Sequence, residues 1–229
     1  MENNNLEENV VLEKPSLFGM IMNPKIQFER LRENPKILVA LLIVTFLSLV
    51  GSAMMATGME DVLRSMPDMQ GLSEEEIVVV TIVSQITAIV GGLLTPVFMI
   101  LLSTVIFIII AKIVRSEVTF KQLFSMNTYI SIITVLSLLL NGLFTMIFKG
   151  GNPEVYITSL NSIVGAEGVL GAVLNSIELF NIWSLIITGI GLQVVARFSK
   201  TLSWSVVVAL YIIGLVFTII AAALSSLGV

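Results

Sequence analysis

From Ile77 to Ala111 the chain runs 35 residues without one charged side chain. As straight helix that stretch would be roughly 52 Å long. One tilted membrane span needs ~20–25 residues. This helix therefore either projects beyond the bilayer or breaks near Gly91-Gly92 or Pro96. The favoured reading is one long helix with a kink near Pro96. A chain holding such a segment has hydrocarbon as its solvent.

The rest of the sequence agrees. Only 12% of residues are charged, against roughly 25% in soluble domains. The charges fall in clusters between further apolar runs at about 37–57, 123–148, 177–196 and 204–223. The expected fold is an all-α polytopic membrane helix bundle, with about five transmembrane helices plus interfacial helices. Residues 1–14 form a polar tail expected to be disordered. Residues 1–13 are acidic, where a cleavable signal peptide would be basic. Residues 15–36 form a cytosolic interfacial segment, and 37–229 the membrane domain. Asn23-Pro24 starts a short helix, and Asn34-Pro35 repeats the device ahead of the first span. Ser73 with Glu76, and Thr119 with Gln122, are spaced as capping boxes. Lys149 to Pro153 is a turn signal. Residues 154–175 read as an outer-surface helix that lies on the membrane or dips partly in.

Charge placement orients the chain. Lys14, Lys25, Arg30, Arg32, Lys36, Lys112, Arg115, Lys121, Arg197 and Lys200 fall on one side; Arg64 and Lys149 fall on the other. Positive residues stay in the cytosol. The N-terminus is thus expected inside a bacterial cell membrane and the C-terminus outside. A sixth span over 154–175 would move Arg197 and Lys200 outside, which argues against it.

Each span carries a stripe of small or polar residues at spacings of three and four. The stripes are Thr45, Ser48 and Ser52; Thr81, Gln85, Ala88, Gly92 and Thr95; Asn127, Ser131, Thr134 and Asn141; Asn181, Ser184, Thr188 and Gly191; and Tyr211, Gly214, Thr218, Ala221 and Ser225. Helices in lipid associate through such residues, so the stripes are expected to face the bundle interior. The bundle-interior polar residues singled out are Gln85, Asn127, Thr134, Asn141, Asn181, Thr188 and Gln193. Packing is the default reading. The sharper one is a polar cavity holding a headgroup or solute. Against an ion-coupled pump, no charged residue is expected inside any span. Glu178, three residues after Asn175, is expected to cap a helix.

Standard catalytic constellations are missing from the sequence. The chain has no histidine and no cysteine, which removes the usual metal ligands and the usual triad base. Asp61 and Asp68 lie in the first outer loop, away from any aspartyl protease geometry. No phosphate-binding glycine-lysine loop is present. The expectation is a non-enzyme without cofactor or metal. Met54, Met55, Met59, Met66 and Met69 read as apolar contacts rather than Cu(I) ligands. Lys112 near Ser103 reads as a topology anchor rather than half of a Ser–Lys pair. Gly165, Gly168 and Gly171 mark a close helix contact, a re-entrant turn or a weak helix, and the sequence leaves these open.

The segment Asn23, Pro24, Lys25, Phe28, Asn34, Pro35, the five spans, and the later run Asn181-Ile182-Trp183, Gly189, Gly191, Leu192, Ser199-Lys200 and Ser203 resemble the bacterial YIP family. The resemblance covers about residues 15–225. It implies a non-enzymatic partner protein that assembles with a MacB-like ABC exporter, meaning its permease/ATPase and an adaptor-like subunit, and supports resistance to a toxic peptide. Membrane lipids are the other expected partner, and a homo-oligomer is left open. Eukaryotic relatives bind GTPases through an Asp-Leu-Tyr-Gly-Pro motif. Here Ser16-Leu17-Phe18-Gly19 is only a faint echo, so GTPase binding is not implied, and nucleic acid is not expected. Cytosolic partner contacts are expected at Pro24, Lys25, Phe28, Arg30, Arg32, Pro35, Arg115 and Lys121. Two alternatives stay open: a stand-alone channel or carrier for a lipid or small neutral solute, and a membrane-shaping protein.

Overall fold

The apolar runs all become helix, and capping chemistry sets several of their ends. The computed structural model describes residues 13–66, 69, 71–148 and 155–226. Most of the polar tail (1–12), Asp68, and the turn from Lys149 through Glu154 lie outside the described residues. Ser16 caps α1 (Leu17–Met22) by accepting from the Gly19 amide. α2 (Pro24–Glu33) starts with proline at its first position, where a missing N–H costs nothing. Asn34-Pro35 does not open the next helix as expected. Asn34 closes α2 at φ −137°, because the following proline disfavours the helical region at Asn34. α3 spans Leu38–Ala56, and α4 spans Met59–Ser65.

α5 (Glu74–Ile113) runs as one helix of 40 residues through Gly91, Gly92 and Pro96. α6 covers Phe120–Ile147. Both start in the capping boxes that the sequence announces, Ser73 with Glu76 and Thr119 with Gln122. The region expected as one helix over 154–175 is instead two, α7 (Asn161–Val164) and α8 (Gly168–Ser176). Gly165 interrupts them at φ +65° and Gly168 follows at +56°, a region that glycine enters without steric cost. α9 (Leu179–Val194) and α10 (Lys200–Ser226) complete the chain.

Four helices, α3, α5, α6 and α10, are long and apolar enough to cross a membrane. No strand occurs among the described residues. The fold is a helical membrane bundle. α9 has 16 residues, about 24 Å, which falls short of a full span.

α6 is the central post, packed by α3, α5, α9, α1 and α2. The main core sits at one end of the bundle, where Met20, Phe28 and Leu31 insert fully buried among Leu123, Met126, Ile133 and Leu192. Backbone carbonyls of that end are tied across elements. Gln122 donates to Arg32 O at 2.7 Å, Ser125 to Lys36 O at 2.6 Å, and Ser116 to Ala196 O at 2.6 Å. This is also where Lys112, Arg115, Lys121 and Arg197 lie, so we call it the basic end. Arg115 and Arg197 occupy left-handed backbone at φ 60° and 54° just past α5 and α9. There Ser116 N reaches back to Ala111 O and Phe198 N to Leu192 O, the wrap that glycine usually makes after a helix.

At the opposite, acidic end, the Gln85 amide donates to Ala56 O at 3.2 Å, the last residue of α3. α5 continues roughly 16 Å past that contact. Arg64 of α4 clasps its tip, bonding Glu60 at 3.0 Å and both oxygens of Glu74 at 3.2 and 2.9 Å. Those bonds, with Glu74 foremost, push the Arg64 guanidinium above its ordinary range.

Two expectations about helix faces need correcting. Phe28 is wholly buried rather than offered to a partner, because it fills the space against Gly191. The α10 stripe does not face inward as a whole, since Gly214, Ala221 and Ser225 are exposed. α10 packs mainly on α8 and α9, and much of its surface is exposed. Elsewhere small residues do permit close approach. A Cβ on Gly142 would lie 2.8 Å from Gly51 O and 2.9 Å from Met54 Cβ.

Gly142→Val is therefore expected to destabilise the bundle by roughly 1–3 kcal/mol through overpacking. Gly214→Val, where the added carbon meets open space, should change stability by about 0.5 kcal/mol at most. Thermal unfolding of both variants in detergent micelles measures the contrast.

Candidate functional site

The stripes on α3, α5, α6 and α9 converge on a groove of about 920 Å³. Its polar lining comes from Ser48 and Ser52 on α3, Thr95 and Ser103 on α5, Asn127, Ser131, Thr134 and Ser137 on α6, and Asn181, Ser184 and Thr188 on α9. α8 adds Asn175 and Ser176, Glu178 closes one end, and α10 contributes Thr218. The volume falls in the range of small-molecule sites.

The hydroxyls are not randomly directed. Ser131 donates to Asn127 O at 2.9 Å, Ser184 to Asn181 O at 2.9 Å, and Thr188 to Ser184 O at 2.7 Å. Each single O–H is thus turned back to its own helix, while the oxygen lone pairs stay available. Asn127 donates to Thr104 Oγ1 at 2.9 Å, and Thr104 in turn to Ile100 O at 2.6 Å, which locks α6 to α5.

Glu178 is the group that the spans as drawn do not anticipate. It does cap α9, accepting from the Asn181 amide at 2.7 Å. Yet it is only 4% exposed and lies inside the bundle. Ser137 donates to it at 3.1 Å and Thr158 also donates to it. Ser137 stands ten residues before the end of α6, about 15 Å along the helix. The expectation that no charge lies within the spans is corrected accordingly. α9 begins beside the middle of α6, and the chain enters it from α8 through the non-helical backbone of residues 177–178.

The approach is stitched by side chains. Asn141 accepts from Ile157 N at 2.7 Å and donates to Ser137 O at 2.8 Å. Asn175 accepts from Tyr156 N at 3.1 Å, and Leu179 N donates to Thr158 O at 3.2 Å. Asn161 holds the α7–α8 turn by pairing both ways with Ala166. Buried backbone groups need such partners.

Of the polar residues singled out beforehand, Asn127, Thr134, Asn181 and Thr188 line the groove, and Asn141 lines a neighbouring cavity of about 590 Å³. Gln85 and Gln193 do not; Gln193 donates to Gly189 O at 3.0 Å instead. Sequence reasoning missed Ser137, Thr158 and the interior position of Glu178. The available signal was Glu178 itself, the one charged residue between Glu167 and Arg197. On the basic end, Lys25, Arg115 and Lys121 are exposed. Arg30 pairs with Glu13, and Arg32 bonds Glu33 at 3.1 Å and Val194 O at 3.4 Å. Pro24 opens α2 and Pro35 is half-buried.

Apolar spans, internally satisfied polar backbone and a hydroxyl-rich interior groove define an integral membrane protein of the polytopic helical class. The chain belongs to the Yip1 domain family, which matches residues 18–224. It is 33% identical to Membrane protein YknW of Bacillus subtilis (strain 168) over 228 residues, 98% of each chain. No solved structure matches it.

Glu178→Ala would leave Ser137 Oγ, Thr158 Oγ1 and the Asn181 amide without their acceptor. A stranded buried donor costs roughly 1–3 kcal/mol. The variant is expected to unfold earlier and to be cut faster by protease within 155–178. Ser184→Ala, whose hydroxyl serves only its own helix, should match the wild type in both assays.

Proposed function

We propose that this protein is a non-enzymatic subunit of a larger transport assembly in the bacterial cell membrane, with its N-terminus in the cytosol. The observation that carries the reading is the construction of the basic end. Met20, Phe28 and Leu31 anchor α1 and α2 in the core, and Gln27 ties the two helices by accepting from Ser16 N at 2.8 Å. Their outer side presents Lys25, Glu29 and Glu33, with Arg115 and Lys121 also exposed at this end. A charged surface on a fixed base is preorganised for a protein partner. The resemblance noted from the sequence suggests an ABC-type exporter acting in toxin or antimicrobial-peptide resistance.

The test is affinity recovery of the tagged chain from its native membrane in mild detergent. Exporter subunits are expected in stoichiometric amount. The variant combining Lys25→Gln, Arg115→Gln and Lys121→Gln should lose most of that recovery while its membrane level holds. Recovery of the chain alone, where other complexes stay intact, overturns the reading. Orientation is tested separately, since the chain has no cysteine. Arg64→Cys should be labelled in intact cells, and Arg115→Cys only after permeabilisation.

The groove favours a second reading, a stand-alone carrier for a lipid or small neutral solute. Flux into liposomes holding this chain alone would support it. Thr134→Leu, in the groove lining, should then abolish the flux without unfolding the protein.

A further inference from the structure

The groove is polar at its floor but opens sideways. α5 packs on α3 and α6, α10 packs on α8 and α9, and both line the groove without forming a substantial interface with each other. Beside the gap α5 is apolar: Pro96 and Met99 line the groove, and Met99 is exposed. Whatever occupies this space meets hydrocarbon at the mouth and hydrogen-bonding groups inside, so it is an amphiphile.

The chemistry of the floor selects its head. Among the described residues, Glu178 is the one charged residue in the lining. Both its oxygens accept hydrogen bonds, and no lysine or arginine among the described residues pairs with it. Elsewhere in the lining, Ser131, Ser184 and Thr188 have turned their protons to helix carbonyls and present lone pairs. A buried acid without a counter-ion, in an acceptor-rich wall, is complementary to a cation that brings several donors. We infer that the groove binds an amphiphile with a primary ammonium head, the ammonium at Glu178 and the apolar chain leaving between α5 and α10. The head can come from a membrane aminophospholipid or from a free long-chain amine; the chemistry is shared. This inference does not rest on the accessory role, and partner recovery is scored independently of it.

Two probes separate the sources. Native mass spectrometry of the full-length protein counts retained phosphatidylethanolamine against phosphatidylglycerol. Thermal shift compares dodecylamine with dodecanol. Wild type is expected to retain phosphatidylethanolamine at least fivefold over phosphatidylglycerol, and to be stabilised by dodecylamine alone. Glu178→Gln should remove both preferences. Protection by dodecylamine without phosphatidylethanolamine retention assigns the site to free amines; the reverse assigns it to the lipid. Equal retention of the two lipids together with equal shifts by amine and alcohol overturns the inference, and so do preferences unchanged in Glu178→Gln. Should Glu178→Gln fail to fold, Thr134→Phe narrows the groove without touching the Glu178 hydrogen bonds. Preferences that survive in Thr134→Phe also overturn the inference.

Discussion

The backbone of residues 155–160 and 177–178 must find hydrogen-bond partners outside any helix, and the rest of the acidic half follows from how it does so. Asn141 and Glu178 supply the acceptors, and α6 supplies the post they lean on. Because this segment descends beside α6, α9 begins halfway down and stays short. Because α9 is short, α8 takes its place against α10. The space left between α8–α10 and α5 is the groove. A helix bundle of uniform spans would close it.

The two ends of the molecule are held by different forces. At the basic end, aromatic and aliphatic side chains of α1 and α2 fill a dry core, and polar side chains cross-link the loops. At the acidic end, amides and hydroxyls bonded to irregular backbone add to the close packing of α3 on α6 at Gly51 and Gly142. Dispersion is short-ranged and forgiving of small shifts, whereas a buried network loses most when half-satisfied. Change is therefore easier to tolerate around the core than around Asn141 and Glu178.

Local chemistry was legible in the sequence. The helix starts at Ser73 and Thr119 follow from residues three apart, and the uncharged run from Ile77 to Ala111 gave a single helix because nothing in it forces a break that neighbouring turns cannot bridge. What depends on distant contacts was not legible. Phe28 looks like a surface residue in an amphipathic segment until Gly191 opens a slot for it. The α10 stripe has the spacing of an interface, but Gly214, Ala221 and Ser225 within it stay exposed. Glu178 reads as a cap, and is one. Only the fold reveals that Ser137 and Thr158 lie within reach.

The left-handed turns at Arg115 and Arg197 carry a consequence of their own. Glycine would sit there with less strain, since the left-handed region costs an L-residue roughly 1–2 kcal/mol. Arginine instead places a fixed positive charge against the carbonyl end of a helix, where the helix dipole favours it. In the proposed orientation the same two side chains face the cytosol, where an arriving polypeptide is sorted by charge during insertion. A glycine at either position would relax the finished fold and, in that orientation, blur the instruction that sets it in the membrane. At these two corners the proposed orientation sets the demands of assembly against those of the assembled state.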